Sequence, residues 1–217
     1  MTTVLHVLSY STLVIDGQTL VVALGSADKT NFKTFGDFSE AYMKSVFGYG
    51  AQFERIDLVF DRYHHPSIKG GSRLNRKKAG TLVRRVIESE NVPFPSDFNL
   101  FLSNEDNKTD LAKFLSFEFI KIAPEDKIIL TSGGLPSIDD VSCNKSDISV
   151  DELQSTHEEA DTRMLLHCTH TMSESLGVWS RDTDVFLLLL AHSNLMNKAV
   201  YMKAGTSSAP KYIDITM

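Results

Sequence analysis

STLVID, residues 11–16, and IDLVFD, residues 56–61, are short apolar runs rich in β-branched side chains, and each closes on an aspartate. Such runs fit β-strands better than helices. KIILTS (127–132), LGVWS (176–180) and KAVYMK (198–203) read the same way. Between them lie FGDFSEAYMKSVFG (35–48), NKTDLAKFLSFEFIKI (107–122), HEEADTRMLLHCTH (157–170) and DTDVFLLLLAHS (182–193). These carry helical spacing, with Asp or Asn near several starts as caps. Strands alternating with helices predict βαβ units, and so an α/β fold with a mainly parallel central sheet flanked by helices. Residues 136–154 are polar and broken, which predicts a loop with room for one short extra strand.

Composition bounds the rest. A chain of 217 residues, 42% hydrophobic and 23% charged, has the material for one substantial core. Its longest apolar runs, such as VFLLLLA at 185–191, fall far short of the roughly 20 residues of a membrane span. The N-terminus lacks a charged region followed by a long apolar segment. The expectation is an intracellular protein with no membrane partner. Two cysteines, Cys143 and Cys168, without regular spacing point to a reducing compartment. Cys168 sits on an apolar helix face, the setting of a buried free thiol rather than a metal ligand.

Charge is segregated along the chain. Eight Lys or Arg and no Asp or Glu lie between Arg62 and Ile87, so this segment carries +8 and the remainder −14, for a net −6. Between Ser146 and Thr162 there are six carboxylates and no Lys or Arg. Either run alone is compatible with a solvated face; together they suggest a basic device that grips phosphate and an acidic one that holds cations.

The acids fall at informative places. Asp16 and Asp61 end strands, Glu159 and Asp161 stand at a helix start, and Asp182 and Asp184 follow LGVWS. One or two acids at a helix start serve as caps and dipole partners. HEEADTR has three, more than capping requires, although Glu158 and Glu159 cannot both face one point. In an open parallel sheet, ligands bind outside the carboxyl ends of the strands, so these residues are expected to converge there. Gathered carboxylates repel unless divalent cations neutralise them, and hard oxygen ligands suit Mg²⁺ or Mn²⁺. Two such ions about 4 Å apart clamp a phosphodiester for in-line hydrolysis. His64, His65 and His157 lack zinc spacing, since HEEADTRMLLH is not H-E-x-x-H.

The order VIDG (14–17), VFD (59–61), EAD (159–161) and SRDTD (180–184) resembles the 5′-nuclease family of flap endonucleases and XPG-type enzymes, within the PIN-like superfamily. The resemblance runs over about residues 10–205 and rests on the order and spacing of short motifs. It implies a single PIN-like nuclease domain over 1–217, with a basic helical arch inserted at about 62–92. It further implies two Mg²⁺ or Mn²⁺ ions held by Asp16, Asp61, Glu159, Asp161, Asp182 and Asp184. Asp161 stands where the family has a second Glu, a shorter arm. PSIKGGSRLNRKK resembles the family's arch and places Lys69 and Arg76 where members contact the scissile phosphate; seven residues apart, they share one face if the arch is helical. Arg73, Lys77, Lys78, Arg84 and Arg85 would add salt-dependent attraction to the backbone.

The expected function is therefore a metal-dependent nuclease acting on DNA, structure-selective for flaps or single-stranded ends, in an intracellular setting, with the nucleus as one option. The alternatives are a PIN-type ribonuclease and a catalytically silent adaptor that binds nucleic acid or protein. Two departures bear on the choice: the family's glycine-rich start is replaced by MTTVLHVLSYS, and KYIDITM ends the sequence before the position of the family's last Asp and helix-hairpin-helix element, as expected either of a truncated member or of one that dispenses with that module.

Overall fold

The structure is a computed structural model that describes residues 11–25, 32–62, 83–137, 140–206 and 209–215. Seven strands form one sheet in the order β4-β3-β2-β1-β5-β6-β7: β1 Ser11–Asp16, β2 Arg55–Val59, β3 Ile128–Ser132, β4 Val141–Cys143, β5 Ser175–Trp179, β6 Ala199–Thr206 and β7 Ala209–Asp214. β3, β2, β1, β5 and β6 run parallel, and the edge strands β4 and β7 are antiparallel to their neighbours. The mainly parallel α/β sheet expected from the strand–helix alternation is present, with the short extra strand inside 136–154.

Six helices accompany it among the described residues: α1 Gly17–Gly25, α2 Phe35–Tyr49, α3 Phe98–Leu102, α4 Glu105–Lys121, α5 Ala160–His170 and α6 Thr183–Met196. Alternation along the strands assigns each layer. Leu13, Ile15, Ile56, Leu58 and Ile129 point into one core with Phe38 and Tyr42 of α2 and Leu115 and Phe119 of α4. Val14, Val59, Leu176 and Val178 point into the other, with Met164 and Cys168 of α5 and Val185 and Leu189 of α6. Strands clad on both faces must be apolar at consecutive positions, which is why STLVID and IDLVFD read as nearly continuous runs.

Helix starts are specified locally. Thr34 and Asp37 form a reciprocal capping box on α2, Asp97 caps α3, Asn104 caps α4 and Asp182 caps α6. Two expected helices begin later than the sequence pattern suggested: the one read from His157 starts at Ala160, and the one read from Asp182 starts at Thr183 with Asp182 as its cap. α1, α3 and β7 were not anticipated. α1 (GQTLVVALG) opens on glycine, carries adjacent valines and has no acid in its first turn, so propensity argues against a helix that packing nevertheless forms.

Lys69, Arg73, Arg76, Lys77 and Lys78, with most of the expected arch, lie outside the described residues. The return from it, 83–92, contains no helix. It is pinned by Asn107, a fully buried side chain on α4 that donates to the Val83 carbonyl (2.8 Å) and accepts from the Arg85 amide (2.9 Å). Among the described residues, no helix is long and apolar enough to cross a membrane.

After β3 the chain turns through Gly133 at φ 83°, in the left-handed region, where a Cβ would land on the Phe60 carbonyl oxygen. That turn packs against the residues that carry Asp61, so its backbone form matters beyond itself. Gly133→Ala is expected to lower the unfolding free energy by about 1–3 kcal/mol, read by urea denaturation. A wild-type midpoint would show that the turn adapts freely.

Candidate functional site

β1 lies between β2 and β5, and the chain leaves it toward β2 and β3 on one side and returns to β5 and β6 on the other. At such a switch point the connections diverge and open a crevice at the carboxyl ends of the strands. Asp16 is the last residue of β1, Asp61 follows β2 by two residues and Asp182 follows β5 by three. α6 begins immediately after Asp182, and the start of α5 is held beside Asp61 by the Ala160 amide.

Asp16 is 8% exposed and firmly held. One oxygen accepts from the Thr19 amide (2.9 Å); the other accepts from the Thr19 hydroxyl (2.5 Å) and from the Ser180 hydroxyl (2.9 Å). Burial raises its pKa most, these hydrogen bonds oppose the rise, and the neighbouring charge of Asp61 adds to it; the outcome is a carboxyl above the usual range. Thr19 and Ser180 were not singled out from the sequence. Ser180, the first letter of SRDTD, had been read only as part of the motif, yet it orients Asp16 from 164 residues away.

Asp61 accepts from the Ala160 amide at 2.8 Å and thereby caps α5 from another element. Glu159 occupies the N-cap position of that helix without a side-chain capping hydrogen bond. Asp161 lies in the first turn and accepts from the Thr162 amide at 2.7 Å. The Arg62 amide donates to the Glu158 carbonyl (2.7 Å), which ties the end of β2 to the approach to α5. The structure thus brings Asp61 and the EAD motif together. Asp182 accepts from the Asp184 amide at 2.8 Å, so it serves as a helix cap whatever else it does, and Asp184 is exposed.

Among the described residues, no three His, Cys, Asp or Glu side chains are gathered closely enough to enclose an ion. What the fold does assemble is Asp16 within electrostatic reach of Asp61, with Ser180 bonded to the first and the start of α5 bonded to the second. A divalent cation suits this donor set: hard oxygens throughout, and a buried carboxyl whose repulsion from its neighbour a cation would relieve.

The basic residues within the described part are engaged internally. The Arg62 guanidinium donates to the carbonyls of Leu135, Pro136 and Ser137, not to Asp61. Arg84 pairs with Asp110 at 2.7 Å, and Arg85 donates to the Pro93 carbonyl. Arg84 thus braces the returning segment against α4, and Arg85 ties it to its own continuation at Pro93.

A buried polar chain under α5 was also missed. His167 on α5 contacts Ser132 Oγ through Nε2 (2.9 Å) and Asp57 Oδ2 through Nδ1 (2.7 Å). Asp57 is fully buried and bidentate with Arg55 (2.6 and 2.7 Å), which reaches His170 Nδ1 at 3.1 Å. Despite its Ser-His-Asp composition, this array is enclosed, with Ser132 and Asp57 0% and His167 1% exposed, so no substrate reaches it. The available signal was an aspartate inside IDLVFD, two residues from an arginine and hence on the same strand face. Cys168 lies beside it, 0% exposed, and burial pushes its thiol far above the usual range, as suits an inert core residue.

Comparison of the chain with protein-family models, curated proteins and solved structures returned no match. The resemblance to 5′-nucleases therefore rests on motif order and on where those motifs fall in this sheet.

Proposed function

We propose that the protein is a divalent-metal-dependent nuclease of 5′-nuclease type acting on DNA with single-stranded or flapped ends. The observation that carries this reading is the position of Asp16, Asp61 and Asp182 at or just after the carboxyl ends of three adjacent strands, where the strand order reverses. Asp16 and Asp61 would hold Mg²⁺ or Mn²⁺ with Glu159, Asp161, Asp182 and Asp184 directly or through water. The ions would supply activation of water and stabilisation of the leaving oxygen. Thr19 and Ser180 fix the Asp16 carboxylate before any cation arrives, and the Ala160 amide fixes that of Asp61, so little reorganisation accompanies loading. Lys69 and Arg76 would stabilise charge developing on the phosphate, with Arg73, Lys77 and Lys78 attracting the backbone, while Arg84 and Arg85 are taken up by Asp110 and the Pro93 carbonyl.

The test is cleavage of end-labelled flap DNA, single-stranded DNA and single-stranded RNA with Mn²⁺ or Mg²⁺, comparing wild type with Asp182→Asn. Asparagine caps helices as well as aspartate does, so α6 is preserved while the charge is lost. Metal-dependent cutting of DNA that falls about 10- to 100-fold in the variant is expected. Cutting confined to RNA would make the protein a ribonuclease, and binding of nucleic acid without cutting would make it an adaptor.

A further inference from the structure

The layer containing α1–α4 packs over β1, β2 and β3, and among the described residues no helix lies over the β5-β6-β7 half of the same sheet face. Aromatic side chains line it, with Tyr212 exposed, Tyr201, Tyr49 and Phe53 half-buried and Trp179 buried. Trp179, at the end of β5, is stacked on Tyr49 of α2, with ring centroids 5.1 Å apart and 24° between planes. Lys203, its register partner on β6, sits over the other side of this group with Nζ 4.2 Å from the Tyr49 ring centroid. Tyr212 of β7 pairs with Lys203 and is 54% exposed, and Tyr201 lies two residues below on the same face. Phe53 closes the lower end by packing over Gly177.

The depression between these rings measures about 60 Å³, too little to enclose a ligand. Its lining contains one charged side chain, Lys203, and no carboxylate. The exposed Tyr212 ring and the half-buried Tyr201 ring, with Lys203 beside them, suit flat bases and an anionic phosphate. They suit a polypeptide less well, because a peptide groove of this depth would carry backbone partners as well as rings. Asp214, opposite Tyr201, confines the favourable charge to the upper end of the platform. That end leads directly to the edge described above, since Trp179 immediately precedes Ser180, the residue that holds Asp16.

We infer that the β5-β6-β7 face is a base-stacking platform for single-stranded nucleic acid, on which Tyr212 and Tyr201 take bases and Lys203 a phosphate, leading the strand to or from the carboxylate edge. This rests on the nuclease reading only for the direction of the strand; the platform itself is tested without cleavage. Binding of a fluorescent 12-nucleotide single-stranded DNA, its RNA counterpart and an abasic DNA of equal length is measured by anisotropy in EDTA. Tyr212→Ala, at an exposed site, is expected to weaken binding of both base-bearing strands about 5- to 100-fold and to leave the abasic strand unaffected. Tyr212→Phe is expected to restore binding, since the ring and not the hydroxyl does the stacking. Trp179, the single tryptophan of the chain, is expected to change emission on binding. Equal binding by wild type and Tyr212→Ala, or an equal loss on the abasic strand, would overturn the platform, whatever the cleavage assay shows. Normal binding in EDTA with no cutting when metal is restored would overturn the nuclease reading and leave the platform standing.

Discussion

Asp57→Ala is expected to lower the unfolding free energy by about 3–5 kcal/mol, the cost of removing one partner from a buried ion pair. The carboxylate is enclosed and receives two hydrogen bonds from Arg55 and contacts His167. Its removal leaves the guanidinium buried without its counter-charge and His167 without its partner at Nδ1, while Ser132 loses an oriented ring. Burial acts most strongly on the Asp57 pKa and would raise it, but the charge and hydrogen bonds of Arg55 and the contact with His167 together hold it below the ordinary value. A carboxyl depressed in the folded state contributes fully above its unfolded pKa of about 3.9. That contribution is lost as the pH falls through the folded value. Urea denaturation at neutral pH and in the acid range checks both statements: the gap between wild type and Asp57→Ala is expected to be wide at pH 7 and to narrow on acidification. A double variant, Arg55→Met with Asp57→Ala, is expected to be less damaging than the sum of its parts, because it removes the stranded charge. An additive result would deny the pair its coupling.

Asp16→Asn is expected to abolish metal-dependent cleavage, by more than the roughly 100-fold that loss of an outer partner costs, while leaving the protein at least as stable as wild type. The two halves of this expectation have one origin. Asp16 is kept charged in a buried place beside Asp61, an arrangement that costs stability unless a cation is present. The amide has nearly the same shape; its oxygen accepts from the Thr19 amide, and the hydroxyls of Thr19 and Ser180 can turn to accept from its nitrogen. Thermal unfolding with EDTA and with Mn²⁺ separates the contributions. Without metal the variant is expected to match or exceed wild type by about 0.5–2 kcal/mol. With Mn²⁺ only the wild type gains. A destabilised variant that gains equally from Mn²⁺ would assign Asp16 to the turn into α1 and not to a cation.

Much of the fold was legible because five buried strands advertise themselves. STLVID matches β1 at both ends, and the other four parallel strands fall within a few residues of their runs. Among the helices with side-chain caps, α2, α4 and α6 were equally visible, while α3, capped by Asp97 but only five residues long, was not. β7 was not: APKYID carries a proline and owes its pairing to β6 rather than to its own pattern. α1 was hidden by its glycine start and paired valines. In the candidate site, the positions of Asp16, Asp61 and Asp182 at strand ends followed from motif spacing. What spacing could not supply was the division of labour, in which Asp61 caps α5, Asp182 caps α6 and Ser180 reaches across to Asp16. Those contacts join residues far apart in the chain and exist only once the sheet is assembled. The Arg55–Asp57–His167 chain was missed for the same reason, its third member being 110 residues from its second.

The central place of β1 also has a consequence for how the chain acquires its shape. β1 pairs on one side with β2, some 40 residues later, but on the other with β5, which begins at Ser175. As the polypeptide emerges from the ribosome, the first half can assemble β1, β2 and β3 with α2 and α4 into one finished layer. One flank of β1 then stays an open edge, with the apolar face of Val14 and Val59 uncovered, until α5 and β5 arrive. Nascent chains stalled before Ser175 should therefore be the ones that chaperones hold and that pair wrongly with each other.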